Sequence, residues 1–259
     1  MMDLTSADGH KVSAYRVDPT DAPKGAVVVV QEVFGVNPHI RSMADKFAAE
    51  GYVAIAPSLF DRVKPGVELG YDEAALNEGL GYRQQIEDET ALADIQAAIE
   101  AVGSVGKVAV VGYCWGGLLA YRSANRLKGL SCAIGYYGAG IEQLFREKSR
   151  IPTLTHWAEK DPLITFDPDV VQFRAYRPDV SGYSYPDATH GFNCNDRDSF
   201  NPEAAAKAQE RTLFFISQFV VGQAPILLKN SGFYAAAKVV KKKKKKVGGG
   251  GDDMGPPDA

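Results

Sequence analysis

Val108-Ala-Val-Val-Gly112-Tyr113-Cys114-Trp115-Gly116-Gly117-Leu118 is the stretch that decides the fold. Residues 107–112 read as a buried strand, short and β-branched, and 118–127 as a helix. Between them stands Gly-x-Cys-x-Gly-Gly, the nucleophile-elbow pattern with cysteine where serine usually stands. The chemistry of such a turn demands its glycines. The central residue occupies a strained backbone conformation, and a side chain two positions away on either side would collide with neighbouring backbone. In return the nucleophile is presented at the edge of a sheet, beside a helix N-terminus whose partial positive charge favours a thiolate.

Outward from this turn the chain alternates strands with amphipathic helices. Residues 25–30, 52–56, 132–137, 153–157 and 182–185 have the apolar, β-branched or aromatic character of strands. Residues 40–50 carry apolar side chains at 40, 43, 44, 47 and 48, a helical stripe, and 89–102 repeats that stripe at 92, 95, 98, 99 and 102. Residues 203–220 form the last helix. This rhythm predicts an α/β fold: a mostly parallel central sheet with helices on both faces, no large lid domain, and loop residues at the carboxyl ends of the strands forming the site.

Composition narrows the class. The 259 residues are 45% hydrophobic and 24% charged, which excludes a disordered body or a disulfide-stapled mini-protein. The formal charge of −3 hides an asymmetry, because residues 223–259 carry eight lysines against three acids. The remaining body is acidic, a poor surface for nucleic acid. No apolar run is long enough to span a bilayer, and the N-terminus has no signal-peptide pattern. Cys114, Cys132 and Cys194 are odd in number and not spaced as metal ligands, so free thiols in a reducing, cytoplasmic compartment are expected. The expected organisation is one domain over 1–222 and a disordered tail over 223–259, where Lys241–Lys246 precede four glycines. That tail reads as a solvated appendage or reading-frame remnant; the alternatives are a nuclear signal and an anchor to acidic lipid.

An elbow nucleophile is followed along the chain by an acid and then a histidine. Asp161 stands just past the strand at 153–157, with Glu159 as its local competitor. Of four histidines, His10 is near the terminus, His39 precedes a helix, and His156 lies inside an apolar strand, as a satisfied core histidine would. His190 sits in a loop between a strand and the last helix, the catalytic placement. No phosphate loop is present, and no His-Glu-x-x-His cluster, so neither a cofactor nor a metal is expected.

Over roughly residues 9–221 the sequence resembles the dienelactone hydrolase family, the carboxymethylenebutenolidase-like branch of the α/β-hydrolases. The resemblance rests on Gln31-Glu32-Val33-Phe34-Gly35-Val36-Asn37, Gly112-Tyr113-Cys114-Trp115-Gly116-Gly117, Lys160-Asp161-Pro162 and His190-Gly191-Phe192. It implies a Cys114–His190–Asp161 triad that cleaves an ester or lactone through an acyl-enzyme. It also implies an oxyanion hole from the amides of Val33 and Trp115. Glu32, by the same resemblance, holds the resting thiol neutral until substrate displaces it. Small-molecule esters or lactones are the implied partners, and a monomer or weak homo-oligomer the implied state.

The sequence departs from the family where substrate is gripped. Relatives that act on the chlorocatechol-pathway lactone hold its carboxylate with two arginines. The position four after His190 is Cys194, with Arg197 three further on. The other arginine position falls on Leu76 in an acidic segment whose nearest basic residue is Arg83. Arg83 or Arg197 substitutes only through shifted loops, and without that fork an anionic lactone is disfavoured. Arg41 resembles a family residue and reads equally as a surface charge. Phe34, Tyr82, Trp115 and Tyr137 are candidates to line an acyl pocket, or simply core. Cys194 beside the mouth reads as a second reactive thiol or a bland surface residue. Two rival functions remain: a broader esterase or thioesterase for uncharged substrates, and a non-catalytic binding or thiol-sensing protein on the same fold.

Overall fold

The computed structural model describes residues 1–222, and the expectation of a disordered tail over 223–259 lies outside the described residues. In chain order the elements are β1 (Met2–Thr5), β2 (Lys11–Val17), β3 (Ala26–Val30), α1 (Pro38–Ala49), β4 (Val53–Pro57), α2 (Glu73–Gln84) and α3 (Asp88–Val102). There follow β5 (Val108–Tyr113), α4 (Trp115–Arg126), β6 (Leu130–Tyr136), β7 (Thr153–Ala158), α5 (Val171–Tyr176), β8 (Val180–Tyr185) and α6 (Pro202–Ile216).

The eight strands form one sheet in the order β1-β2-β4-β3-β5-β6-β7-β8. From β4 to β8 every pairing is parallel, while β1–β2 and β2–β4 are antiparallel. The valines of β3 are buried on both faces, as a central parallel strand requires. Alternate strand residues divide between two apolar layers. Val28, Val30, Ile55, Val108 and Val110 pack with Leu92, Ile95 and Ile99 of α3 and Leu119 of α4. Val27, Val29, Ala54, Ala109 and Val111 pack with Ile40, Met43 and Phe47 of α1 and Ala208 and Ile216 of α6. The sheet is therefore covered on both faces, as the alternation predicts.

Local chemistry sets the helix ends. Asn37 accepts a hydrogen bond from the Ile40 amide at 3.2 Å with Pro38 in the first turn of α1, and Asn201 accepts one from Ala204 at 3.0 Å at the start of α6. The long helix expected over 203–220 ends its α-helical part at Ile216 and continues as a wider turn over Ser217–Val221. Among the described residues there is no inserted lid domain. The longest excursion, between β4 and α3, carries only a short turn at Leu59–Arg62 and α2. No helix among them is long and apolar enough to cross a membrane.

After β3 the chain goes first to β4 on one side and then to β5 on the other. That reversal opens a crevice at the carboxyl ends of β3 and β5, where folds of this kind bind ligands. Glu32 follows β3 and Cys114 follows β5.

Candidate active site

Cys114 joins β5 to α4 with φ 54° and ψ −118°, a conformation that strains any residue but glycine. A Cβ on Gly112 would overlap the Gly116 carbonyl, and one on Gly116 would overlap the carbonyls of Val30 and Gln31. The two elbow glycines thus let the turn close on itself and press against the end of β3. This brings Trp115, whose amide opens α4 without an intrahelical acceptor, beside the segment that runs into Glu32 and Val33. The Cys114 amide itself donates to Tyr136 O at 3.1 Å.

Asp161 lies beyond β7 and His190 in the loop after β8, and the fold brings them together. His190 Nδ1 is 2.8 Å from Asp161 Oδ2, with both side chains buried. The second carboxylate oxygen, Oδ1, accepts from the Leu163 amide at 2.9 Å, so Asp161 is held from two directions. Glu159, its sequence competitor, has its amide on the Tyr185 carbonyl at 3.1 Å and no part in the histidine bond. The His190 Nε2 atom is buried without a formed hydrogen bond. Burial opposes charge on this imidazole, but the neighbouring Cys114 and the bonded Asp161 push its pKa up to about 10. The ring of Tyr137, itself at φ 37°, meets His190 edge to face at 5.1 Å, and its buried hydroxyl has no partner.

Glu32 is fully buried. Its Oε2 accepts from the Tyr71 hydroxyl at 3.4 Å, and its Oε1 stands 3.7 Å from Arg197 with no hydrogen bond. The Arg197 guanidinium also lies over the rings of Phe34 and Tyr71, 5.7 Å from each centroid. Successive turns after His190 swing it there, with the Cys194 amide donating to Gly191 O and the Arg197 amide to Cys194 O. Of the arginine candidates, Arg197 is the one the structure brings to Glu32. Arg41 pairs with Glu68 and covers Tyr15, and Arg83 bonds Asp88 at 3.2 Å while lying over Trp115. Tyr82 donates to Glu78 and packs on Phe60, away from the Asp161–His190 pair. Phe34, Trp115 and Tyr137 are all buried around the crevice.

Cys194 is not the surface residue its loop position suggested. It is fully buried, and burial pushes its thiol up to about 11, which keeps it protonated and weakly nucleophilic. It meets Glu32 and His39: a carboxylate oxygen, an imidazole nitrogen and the sulfur all lie within 4.8 Å of one another. This is the only such group of metal-ligating side chains among the described residues, and nothing in the spacing of 32, 39 and 194 announces it. Burial holds the His39 imidazole below its usual pKa, hence neutral. Tyr71 is the other site residue the sequence did not reveal; its partners Asn37 and Glu32 lie more than thirty positions away.

An open depression of about 550 Å³ adjoins Arg197, lined by Tyr71, Asp72, Asp196, Arg197, Asp198 and Ser199.

The sequence profile of the Dienelactone hydrolase family matches residues 12–220. A carboxymethylenebutenolidase from Pseudomonas putida is 32% identical over 224 residues, covering 83% of this chain and 94% of that one. Carboxymethylenebutenolidase 1 from Cupriavidus pinatubonensis is 31% identical, covering 82% of this chain and 94% of its own. The crystal structure of a dienelactone hydrolase candidate from Klebsiella pneumoniae superposes with a TM-score of 0.72 at 28% identity, over 83% of this chain and 98% of that one. Elbow, sheet order and sequence likeness agree: the chain belongs to the dienelactone hydrolase family and is a dienelactone hydrolase-like hydrolase on the α/β-hydrolase fold.

Proposed function

We propose that this protein cleaves carboxylic esters or lactones through a thioester on Cys114, with His190 and Asp161 completing the catalytic set. The observation that carries the reading is the buried 2.8 Å bond between His190 Nδ1 and Asp161 Oδ2. It fixes the imidazole while Nε2 stays unbonded and Cys114 raises the ring's pKa. With the Cys114 proton resting on Nε2 of the charged imidazole, the thiolate attacks the carbonyl carbon. The oxyanion is held by the amides of Val33 and Trp115. Collapse breaks the carbon–oxygen bond, and the leaving alkoxide takes the proton from the imidazolium; in a lactone it remains tethered to the acyl group. A water deprotonated by Nε2 then cleaves the thioester, releases the carboxylate and returns a proton to sulfur.

Glu32 is the switch on the resting thiol. Its carboxylate here faces Tyr71 and Arg197, the position expected of it once the thiol is released to His190. The free state of all three cysteines fits a reducing, cytoplasmic setting.

The names of the carboxymethylenebutenolidase relatives point to a lactone substrate. A second reading, a preference for uncharged esters or thioesters, is favoured by Arg197, the candidate carboxylate-binding arginine, which already faces Glu32 and has Asp196 and Asp198 beside it in the chain. Initial rates on a neutral aryl ester and on the anionic dienelactone, for wild type and Cys114→Ala, test both. Turnover that needs Cys114 and favours the neutral ester is expected. Equal turnover by Cys114→Ala would overturn the hydrolytic role of the thiol, and higher efficiency on the anionic lactone would overturn the uncharged preference.

A further inference from the structure

We propose that Glu32, His39 and Cys194 form a binding site for a divalent transition-metal ion of the zinc class, beside the catalytic pair and distinct from it. Each offers a different donor, and the three donor atoms lie within 4.8 Å of one another. Tetrahedral zinc, with bonds of about 2.0–2.3 Å, places its ligand atoms roughly 3.3–3.7 Å apart, so the ion draws donors now within 4.8 Å together by about 1 Å. Thiolate with imidazole and carboxylate selects zinc, cobalt, nickel or copper over magnesium and calcium. Three protein ligands leave a fourth position for water.

A second, independent observation points to a ligand. His39 is 1% exposed, yet neither ring nitrogen forms a well-aligned hydrogen bond, although the Asn195 side chain lies close by, and Glu32 Oε1 at 0% exposure has only the 3.7 Å approach of Arg197. Buried polar atoms are almost always satisfied, so one imidazole nitrogen and one carboxylate oxygen standing open beside a thiol ask for an acceptor of their lone pairs. The ligands are also well anchored. His39 sits in the first turn of α1, behind the Asn37 cap, and Glu32 stands two residues past the end of β3. Coordination forms a sulfur–metal bond and releases the Cys194 thiol proton to solvent; Arg197 yields Glu32 Oε1 to the ion. Because Glu32 is then occupied, the metal-loaded enzyme is inhibited. That consequence rests on the function proposed above, whereas binding itself does not.

The test uses full-length Cys114→Ala, so that the catalytic thiol cannot serve as ligand. Titration with Co²⁺ should give one ion per chain, a thiolate-to-cobalt charge-transfer band and tetrahedral d–d bands. Zn²⁺ should displace that ion and raise the unfolding temperature. Adding Cys194→Ser should abolish the charge-transfer band, and adding His39→Gln should weaken binding at least tenfold. Absence of stoichiometric binding in Cys114→Ala, or binding unchanged by both further substitutions, overturns the site. If His39→Gln does not fold, the loss or persistence of the band in Cys194→Ser decides alone. With Cys114 intact, a chelator should reverse Zn²⁺ inhibition, and Cys194→Ser should resist that inhibition. Equal inhibition of wild type and Cys194→Ser would place the inhibitory ion on Cys114 and overturn the regulatory consequence.

Discussion

Two buried histidines, His156 within β7 and His190 in the loop after β8, behave in opposite ways. His156 lies within β7 with both nitrogens satisfied by neutral hydroxyls, Nδ1 at 2.9 Å from Tyr185 and Nε2 at 3.0 Å from Thr212. Burial pushes its pKa down to about 3, and nearby Arg211 acts in the same direction. His190 is buried too, but its Nδ1 bonds a carboxylate and its Nε2 side faces the influence of a thiol, and its pKa rises to about 10. Burial by itself silences an imidazole; an anionic frame around a buried imidazole makes it a proton carrier. The two histidines are thus distinguished by what each touches rather than by how deep it lies.

The strongest way to break that contrast is to neutralise the frame. Asp161→Asn should lower kcat/KM by about 10³–10⁴-fold with little loss of folded protein, because tautomer control and imidazolium stabilisation go together. A drop of only a few-fold, measured beside a matching circular dichroism spectrum, would mean that Asp161 is a turn residue. His156→Ala should do the reverse. It empties a packed site and strands Tyr185 and Thr212, costing about 2–4 kcal/mol in denaturant unfolding, while activity per folded molecule stays within a few-fold. Thr212→Val, which removes one hydroxyl shared by His156 and Tyr136, should cost about 1–3 kcal/mol with no kinetic effect.

Titration sharpens the contrast without mutation. Because the folded pKa of His190 lies above the ordinary 6.5, its charged form contributes stability that is complete below 6.5 and lost as pH rises through about 10. For His156 the sign inverts: the unfolded chain takes up a proton that the fold refuses, so stability falls as pH drops from 6.5 towards 3. Imidazole NMR should show one ring charged and the other neutral across the neutral range, and Cys114→Ala should lower the His190 value. A shared titration near 6.5 would erase the distinction.

How far the sequence disclosed this arrangement depended on how local each cause was. The elbow was legible because steric demand at Gly112 and Gly116 acts within a few residues of Cys114. The meeting of Asp161 and His190 was legible because parallel strands deliver their following loops to one edge. His156 was legible as core from its apolar strand. Helix α2 was not, since Leu76 and Leu80 are exposed and only Gly79 of that helix is buried, leaving no stripe to read. The β1–β2 edge escaped for a similar reason, its alternation being short and half polar. Arg197 could not be chosen over Arg83 until the turns after Gly191 were seen to carry it back to Glu32. The meeting of Glu32, His39 and Cys194 depends wholly on tertiary structure.

The central claim, a thioester on Cys114, is tested most directly by intact-mass measurement during turnover of an activated ester. Wild type should gain the mass of one acyl group, mapped to the peptide containing Cys114, and Cys114→Ala should gain none and turn over no substrate. Turnover by both proteins with no adduct on either would contradict it.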